Sequence, residues 1–334
     1  MIDRAANGDT DGDRSRPTSL TEPPGATIAA GLAGACVGGR PSGTRRFSIG
    51  SSHYVFEVFY VDRPSVVVRM ARRDEGAAMV GAVALNRMLR PLGVPLPALL
   101  FDGSQQPVPH LVLQRLPGVD LGAVIETLSD AALEGIAAKV AAAQAIVAEL
   151  PAAGRYGYSV HGDDAPHEAW SKVLIADLQR SRRRIAAAGL FDVEVVGAVL
   201  RLIAAARAEL DLLPATPFLH DTTTKNVIVT VDGAFSGIVD VDDLCFGDPR
   251  YAPALTLAAV LAFGGPVRYV DAWMKLAGHA DDRIFRLYVA MFLVGFMSEQ
   301  GQAFNGNQAP SSGEDRESLL RIFSAALSRA GGQH

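Results

Sequence analysis

Between residues 46 and 114 the chain sets short β-branched and aromatic runs between turn signals. Arg46-Phe47-Ser48-Ile49 leads through Gly50-Ser51-Ser52 into His53-Tyr54-Val55-Phe56-Glu57-Val58-Phe59-Tyr60, and Asp62-Arg63-Pro64 turns the chain into Ser65-Val66-Val67-Val68-Arg69-Met70. This pattern predicts a three-strand meander. Helical spacing over 76–89 stops before Pro91, and two more apolar runs, 99–101 and 110–114, straddle the Asp102-Gly103 turn. The N-terminal third therefore reads as a small, mostly antiparallel sheet with one helix.

Beyond Leu116-Pro117-Gly118 the period changes. Ala-, Leu- and Ile-rich segments at helical spacing cover 130–150, 167–188, 193–212 and most of 253–330, with Ser129-Asp130 and Asp192 as N-terminal signals. One β-like island, 218–243, interrupts them. Residues 27–37 suit one short helix of small residues, ended by Gly38-Gly39-Arg40-Pro41. Residues 1–25 are polar and Gly/Pro-rich, the composition of a disordered tail. The expected organisation is an α+β, bilobal chain: a tail over 1–25, a β-rich N-lobe over 26–116 and a larger, mostly helical C-lobe over 117–334.

Composition narrows the function. The 334 residues are 49% hydrophobic and 20% charged, enough apolar surface for a sizeable core. The formal net charge of −5 argues against a nucleic-acid partner, which would favour a basic excess. Cys36 and Cys245 are too few for a disulfide framework. The longest uncharged run, 251–267, is broken by Pro253 and Gly264-Gly265-Pro266, so no membrane span is expected. The acidic residues and Pro23-Pro24 ahead of 26–36 argue against an export signal. A cytoplasmic protein is the simplest expectation; the composition says nothing of its oligomeric state.

The island holds the chemistry. Asp221 lies in a polar loop five residues before Asn226; a strand follows, Asp232-Gly233 reverses it, and a second strand delivers Asp240 beside the start of the first. The hairpin thus gathers three oxygen-bearing side chains at one end. Hard oxygen ligands suit Mg²⁺ carrying substrate phosphates, and the remaining acid can orient a hydroxyl. This is the Asp-x4-Asn…Asp arrangement of the kinase fold.

With Ile238-Val239-Asp240-Val241-Asp242-Asp243 running on to Gly247-Asp248-Pro249, the sequence resembles the aminoglycoside phosphotransferase family, small-molecule kinases of the protein-kinase-like fold. The resemblance extends loosely from about 42 to 323. It implies ATP and Mg²⁺ as cofactors and a small hydroxylated molecule, aminoglycoside-like, amino alcohol or sugar, as acceptor. Carried over by position, it implies Asp221 as catalytic acid/base and Asn226 and Asp240 as metal ligands. Gly50, Ser51 and Ser52 become the loop over the nucleotide phosphates, and Arg69 stands where kinases carry lysine. No lysine precedes Lys139, so a lysine there is impossible; arginine still offers a permanent cation and a bidentate fork. Residues 113–118, with Gln114 and Leu116, resemble the adenine-binding hinge. Lys225, beside Asn226, either reaches the transferring phosphoryl group or is solvated.

Several positions carry two readings. Arg69 is either a phosphate clamp or a surface arginine. Asp242 and Asp243 either bind a second metal or a cationic substrate, or line a solvated loop; Asp163, Asp164 and Glu168 either welcome a cationic amino-sugar or amine, or form a solvated loop. Asp248-Pro249 reads as a helix N-cap with proline at the first helical position. Two departures stand out. Leu219 occupies the family histidine's slot with His220 beside it, and the helix glutamate that pairs with the strand cation falls on Gly81 or Ala82, leaving Glu75 as the nearest acid. These departures support a rival reading, a nucleotide-binding pseudokinase that senses or scaffolds. Residues 38–44 lack the P-loop lysine, and the histidines lack HExxH spacing. A protein kinase is disfavoured because Thr223 replaces its catalytic-loop Lys or Ala and no Ala-Pro-Glu segment follows Asp240.

Overall fold

The computed structural model describes residues 23–47, 53–72, 76–152, 154–304, 307–308 and 311–331. The expected phosphate loop Gly50-Ser51-Ser52, the acid Glu75 and most of the N-terminal tail lie outside the described residues.

A five-stranded antiparallel sheet forms the N-terminal part, in the order β1-β2-β3-β5-β4. Its strands are β1 (Gly43–Arg46), β2 (Tyr54–Phe59), β3 (Val66–Met70), β4 (Leu99–Gly103) and β5 (His110–Gln114). Alternation sorts its residues between two faces. Tyr54, Phe56, Val58, Val66, Val68, Met70 and Val112 pack against Ala29 and Ala33 of α1 (Ala26–Val37). Leu111 packs on the opposite side, with Met79, Ala82 and Val83 of α2 (Gly76–Leu89). Both expected helices and the second and third strands of the meander are present; the first strand is β1, which ends at Arg46 where the sequence pattern starts it, and 48–49 lie outside the described residues.

The registers Val55↔Arg69↔Leu111 and Glu57↔Val67↔Leu113 put two charged side chains, Glu57 and Arg69, on the face away from α1. Both are buried. Strand period places Arg69 on this face, and its burial with ion pairs to Asp240 and Asp242 from the helical part corrects the surface-arginine reading.

The rest of the chain is mostly helical. It comprises β6 (Val119–Asp120), α3 (Asp130–Ala148), β7 (Gly157–Ser159), α4 (Trp170–Ala188), α5 (Glu194–Leu210), β8 (Thr216–Phe218), β9 (Val227–Val229), β10 (Phe235–Ile238) and β11 (Leu244–Gly247). After these come α6 (Tyr251–Phe263), α7 (Arg268–Leu276), α8 (Arg283–Glu299) and, past a short hairpin, a last helix over Gly313–Ala330. Ser129 Oγ accepts the Ala132 N–H and caps α3 as expected. Residue 167 does not begin a helix: His167 bridges to Tyr156, and α4 starts at Trp170. Among the described residues α3 is the one helix long and apolar enough to cross a membrane. Its Leu133, Ile136, Ala137, Val140, Ala143 and Val147 are instead buried in the main core. That core also takes in Leu85, Leu89, Val94 and Leu96, which ties the end of α2 to the helical part.

The sequence pattern missed four short strands, β6, β7, β8 and β11, which make two small sheets with the hairpin strands. β6 joins β9 and β10, and β11 lies between β7 and β8. Strands of two to four residues carry too little alternation to stand out.

Candidate active site

β9 and β10 form the expected hairpin, pairing Val227 with Ile238. Two hydrogen bonds gather its open end. Asn226 Nδ2 donates to the Asp221 carbonyl at 3.0 Å, and the Val239 N–H donates to the Asn226 carbonyl at 2.9 Å. Asp221, Asn226 and Asp240 are therefore neighbours at this end, close enough for the Asp221 charge to act on the Asp240 carboxyl. Asp240 sits at φ 65°, the one positive φ on a non-glycine residue among the described residues. Such backbone costs about 1–3 kcal/mol and is characteristic of functional loops.

The Asp221 carboxylate is held from two directions. Thr223 Oγ1 donates to Oδ1 at 2.8 Å, and Lys225 Nζ lies 3.8 Å from Oδ2. The Asp221 charge raises the Lys225 ammonium above its ordinary value, with Glu299 and Asp240 adding to the effect. Leu219, in the histidine slot, is buried, while His220 packs edge-on against Tyr158 and faces Asp243 at 3.3 Å. The loop is pinned by Gln144 of α3, whose carboxamide brackets the Leu219 main chain and donates to Thr222 Oγ1 at 3.2 Å.

Arg69 is the centre of a compact charged cluster. Nη1 and Nη2 donate to Asp242 Oδ1 and Oδ2 at 2.6 and 2.5 Å, and Nη2 also lies 2.8 Å from Asp240 Oδ1 and 2.7 Å from His53 Nδ1. Burial, then the neighbouring guanidinium, pushes His53 down to about 3, so the neutral ring accepts from Arg69. Burial alone would raise the Asp242 carboxyl, but the charge and hydrogen bonds of Arg69 hold it below the usual carboxylate range. Asp242 is thus no solvated loop residue.

Mg²⁺ suits the donor set here. Asn226 commits its amide nitrogen to the Asp221 carbonyl, which leaves its oxygen as the ligand atom, and the Asp240 carboxylate already carries a cation, the Arg69 guanidinium. Both would be hard oxygen ligands.

The hinge is tightly built. The Gln114 N–H donates to the Ala98 carbonyl at 2.8 Å and its side chain accepts from the Ala98 N–H, so neither is spare for a ligand. Leu116 is buried, and its carbonyl accepts from Arg115. Arg115 also reaches Glu57 Oε1 at 3.3 Å, joining the hinge to the roof of the cleft. Asp248 does not cap α6 directly. Its buried carboxylate holds the N–H and guanidinium of Arg250 and the Tyr288 hydroxyl, a structural network. Asp163, Asp164 and Glu168 are exposed, and Glu168 pairs with Lys172.

Residues 43–288 match the phosphotransferase enzyme family. The chain belongs to that family. No curated protein sequence matches it. The ADP-bound aminoglycoside phosphotransferase APH(2'')-Ib superposes with TM-score 0.60 at 15% identity, covering 91% of this chain and 97% of that one. A thermostable mutant of aminoglycoside phosphotransferase APH(4)-Ia, in ternary complex with AMP-PNP and hygromycin B, gives TM-score 0.63 at 17% identity, covering 92% and 100%. The gentamicin complex of APH(2")-IIa gives 0.60 at 14%, covering 91% and 96%. This member of the phosphotransferase family therefore has the protein-kinase-like fold expected of it, with a small antiparallel N-terminal sheet and a mostly helical remainder.

Proposed function

We propose that the protein transfers the γ-phosphoryl group of ATP to a hydroxyl of a small molecule. The observation that carries this reading is the convergence of Asp221, Asn226 and Asp240, built by the Asn226–Asp221 and Val239–Asn226 hydrogen bonds. Asp221 orients the acceptor hydroxyl and takes its proton as the oxygen attacks phosphorus and the bond to the ADP oxygen breaks. Thr223 fixes the carboxylate for this task. Asn226 and Asp240 would hold Mg²⁺, which when bound neutralises charge on the nucleotide phosphates. Lys225 places a cation beside Asp221, where charge on the transferring group is largest. Arg69 supplies a fixed positive charge on the roof of the cleft.

Gly50, Ser51 and Ser52 are assigned to the phosphates by position alone. At the hinge, Gln114 and Leu116 are assigned to the adenine by position alone, since the groups of Gln114 described above are engaged with Ala98 and the Leu116 carbonyl with Arg115. For the acceptor, the side chains around Lys225, namely Asp221, Glu299 and Asp240, are acidic and favour an amine-bearing alcohol or sugar. The relatives above are complexed with hygromycin B and gentamicin, which are of that kind. An acidic net charge supports an enzyme without a nucleic-acid partner, and the free thiols of Cys36 and Cys245 support a cytoplasmic one. The pseudokinase reading leaned on the absent helix glutamate and on the altered Leu219-His220 pair; Asp242 supplies the missing carboxylate, and Gln144 holds the Leu219 main chain.

The test is purified protein with Mg·ATP against a panel of aminoglycosides, amino alcohols and sugars, followed by coupled ADP detection and mass spectrometry of the acceptor. An acceptor gaining one phosphate is expected. Nucleotide binding without transfer to any compound would favour the pseudokinase.

A further inference from the structure

We infer that Asp242 anchors Arg69 in place of the glutamate that other kinases supply from the helix after the cationic strand, a positioning role that rests on the phosphotransfer reading above. In kinases the strand cation must be ion-paired to the helix for catalysis. Here α2 has no acidic residue along its whole length. At Gly81, one of the two positions the sequence offers for that glutamate, a Cβ would stand 2.9 Å from the Asp242 carbonyl oxygen and 3.1 Å from Val160 Cγ2. The main chain of the anchoring residue fills the place where a helix side chain would begin. The helix gives up its acid and the metal-side loop provides one.

The geometry also explains the arginine. Both Nη atoms engage both Asp242 oxygens, the fork-to-fork pairing that a lysine ammonium cannot make. The contact to Asp240 is lesser, because Asp240 shares Nη2 alone. His53 Nδ1 and the two carboxylates lie within 4.8 Å of one another, a spacing that would also suit a metal ion. The cation among them is the guanidinium itself. When Asp240 turns to a metal–nucleotide, Asp242 is the partner that keeps Arg69 in place. Arg69 Nε is buried and has no hydrogen-bond partner among the described residues, a donor consistent with a site completed by a bound anion. In this arrangement Arg69 is coupled to the Asp240 loop through the chain itself, Asp242 lying two residues past Asp240.

The experiment is a double-mutant cycle on the full chain with Arg69→Met, Asp242→Asn and the pair, read both by calorimetric Mg·ATP binding and by urea unfolding. Each single change is expected to weaken Mg·ATP binding about tenfold, the loss of one charged hydrogen-bonded contact, and the pair no more than either alone. Asp242→Glu should recover part of the loss. Additive losses, about a hundredfold in the pair, would overturn the inference. So would a raised Mg²⁺ requirement in Asp242→Asn that Arg69→Met does not share, which would make Asp242 a metal ligand. Should Asp242→Asn fail to fold, Arg69→Lys keeps the charge without the fork: a similar loss supports the pairing and wild-type affinity overturns it. A wild-type chain that binds no nucleotide, with Arg69 and Asp242 still coupled in unfolding, would overturn the phosphotransfer reading and leave the pairing standing.

Discussion

The Gln144 carboxamide closes on the main chain of Leu219 from both sides: its Nε2 donates to the Leu219 carbonyl at 2.7 Å, and its Oε1 accepts the Leu219 N–H at 2.9 Å. Leu219 is buried and stands two residues before Asp221. A core helix thereby holds the loop that carries the candidate base, in a position where the family histidine is missing. Gln144→Ala should cost about 1–3 kcal/mol, because two part-buried main-chain groups lose their partners. Urea unfolding measures the loss, and turnover should fall with it as Asp221 loses its support.

Asp221 is expected to separate chemistry from binding. Asp221→Asn keeps the shape but cannot take a proton, so kcat should fall about 10²- to 10⁴-fold. Mg·ATP affinity, followed by calorimetry, should stay nearly unchanged. Full turnover in this variant would remove Asp221 from the mechanism.

Gly118 marks a close approach of the hinge to the hairpin. It has φ 106°, and a Cβ there would meet the Val229 carbonyl oxygen at 1.9 Å. Gly118→Ala must push the hinge off β9 in addition to straining the backbone, so a loss of about 1–3 kcal/mol or more is expected. Thermal unfolding of the variant checks this.

Glu57 makes stability depend on acid. Burial by itself would raise its carboxyl, but hydrogen bonds from Ser65 and Arg45 and the charge of Arg115 bring it below the ordinary value of 4.5. The unfolded chain therefore takes up the proton first as pH falls. The stabilisation is complete above 4.5 and drains away as pH drops through the lower folded value. Unfolding midpoints between pH 7 and pH 3 should show the decline, and Glu57→Gln should flatten part of it.

Much of this architecture was legible in the sequence because it is local. Helix α2 occupies the expected 76–89, since apolar spacing and Pro91 both act within a few residues. The hairpin was equally readable: β-branched strands and Asp232-Gly233 dictate the reversal, and the reversal brings residue 240 back to residue 226. Gln144, Glu57 and His53 gave no such sign. A glutamine in an alanine-rich helix and a glutamate in an alternating strand look like ordinary solvent-facing residues.

The chain's own order of residues thus determined its two-part layout and the one turn that gathers Asp221, Asn226 and Asp240, because strand period, helix period and turn chemistry are properties of neighbours. Tertiary structure alone decided which acid meets Arg69, since Asp242 is 173 residues away along the chain. It likewise decided that Gln144 holds a loop 75 residues away. Such pairs form when a buried charge or a part-buried main-chain group must find a partner in whatever the packing brings near it, and that need leaves no local pattern to read.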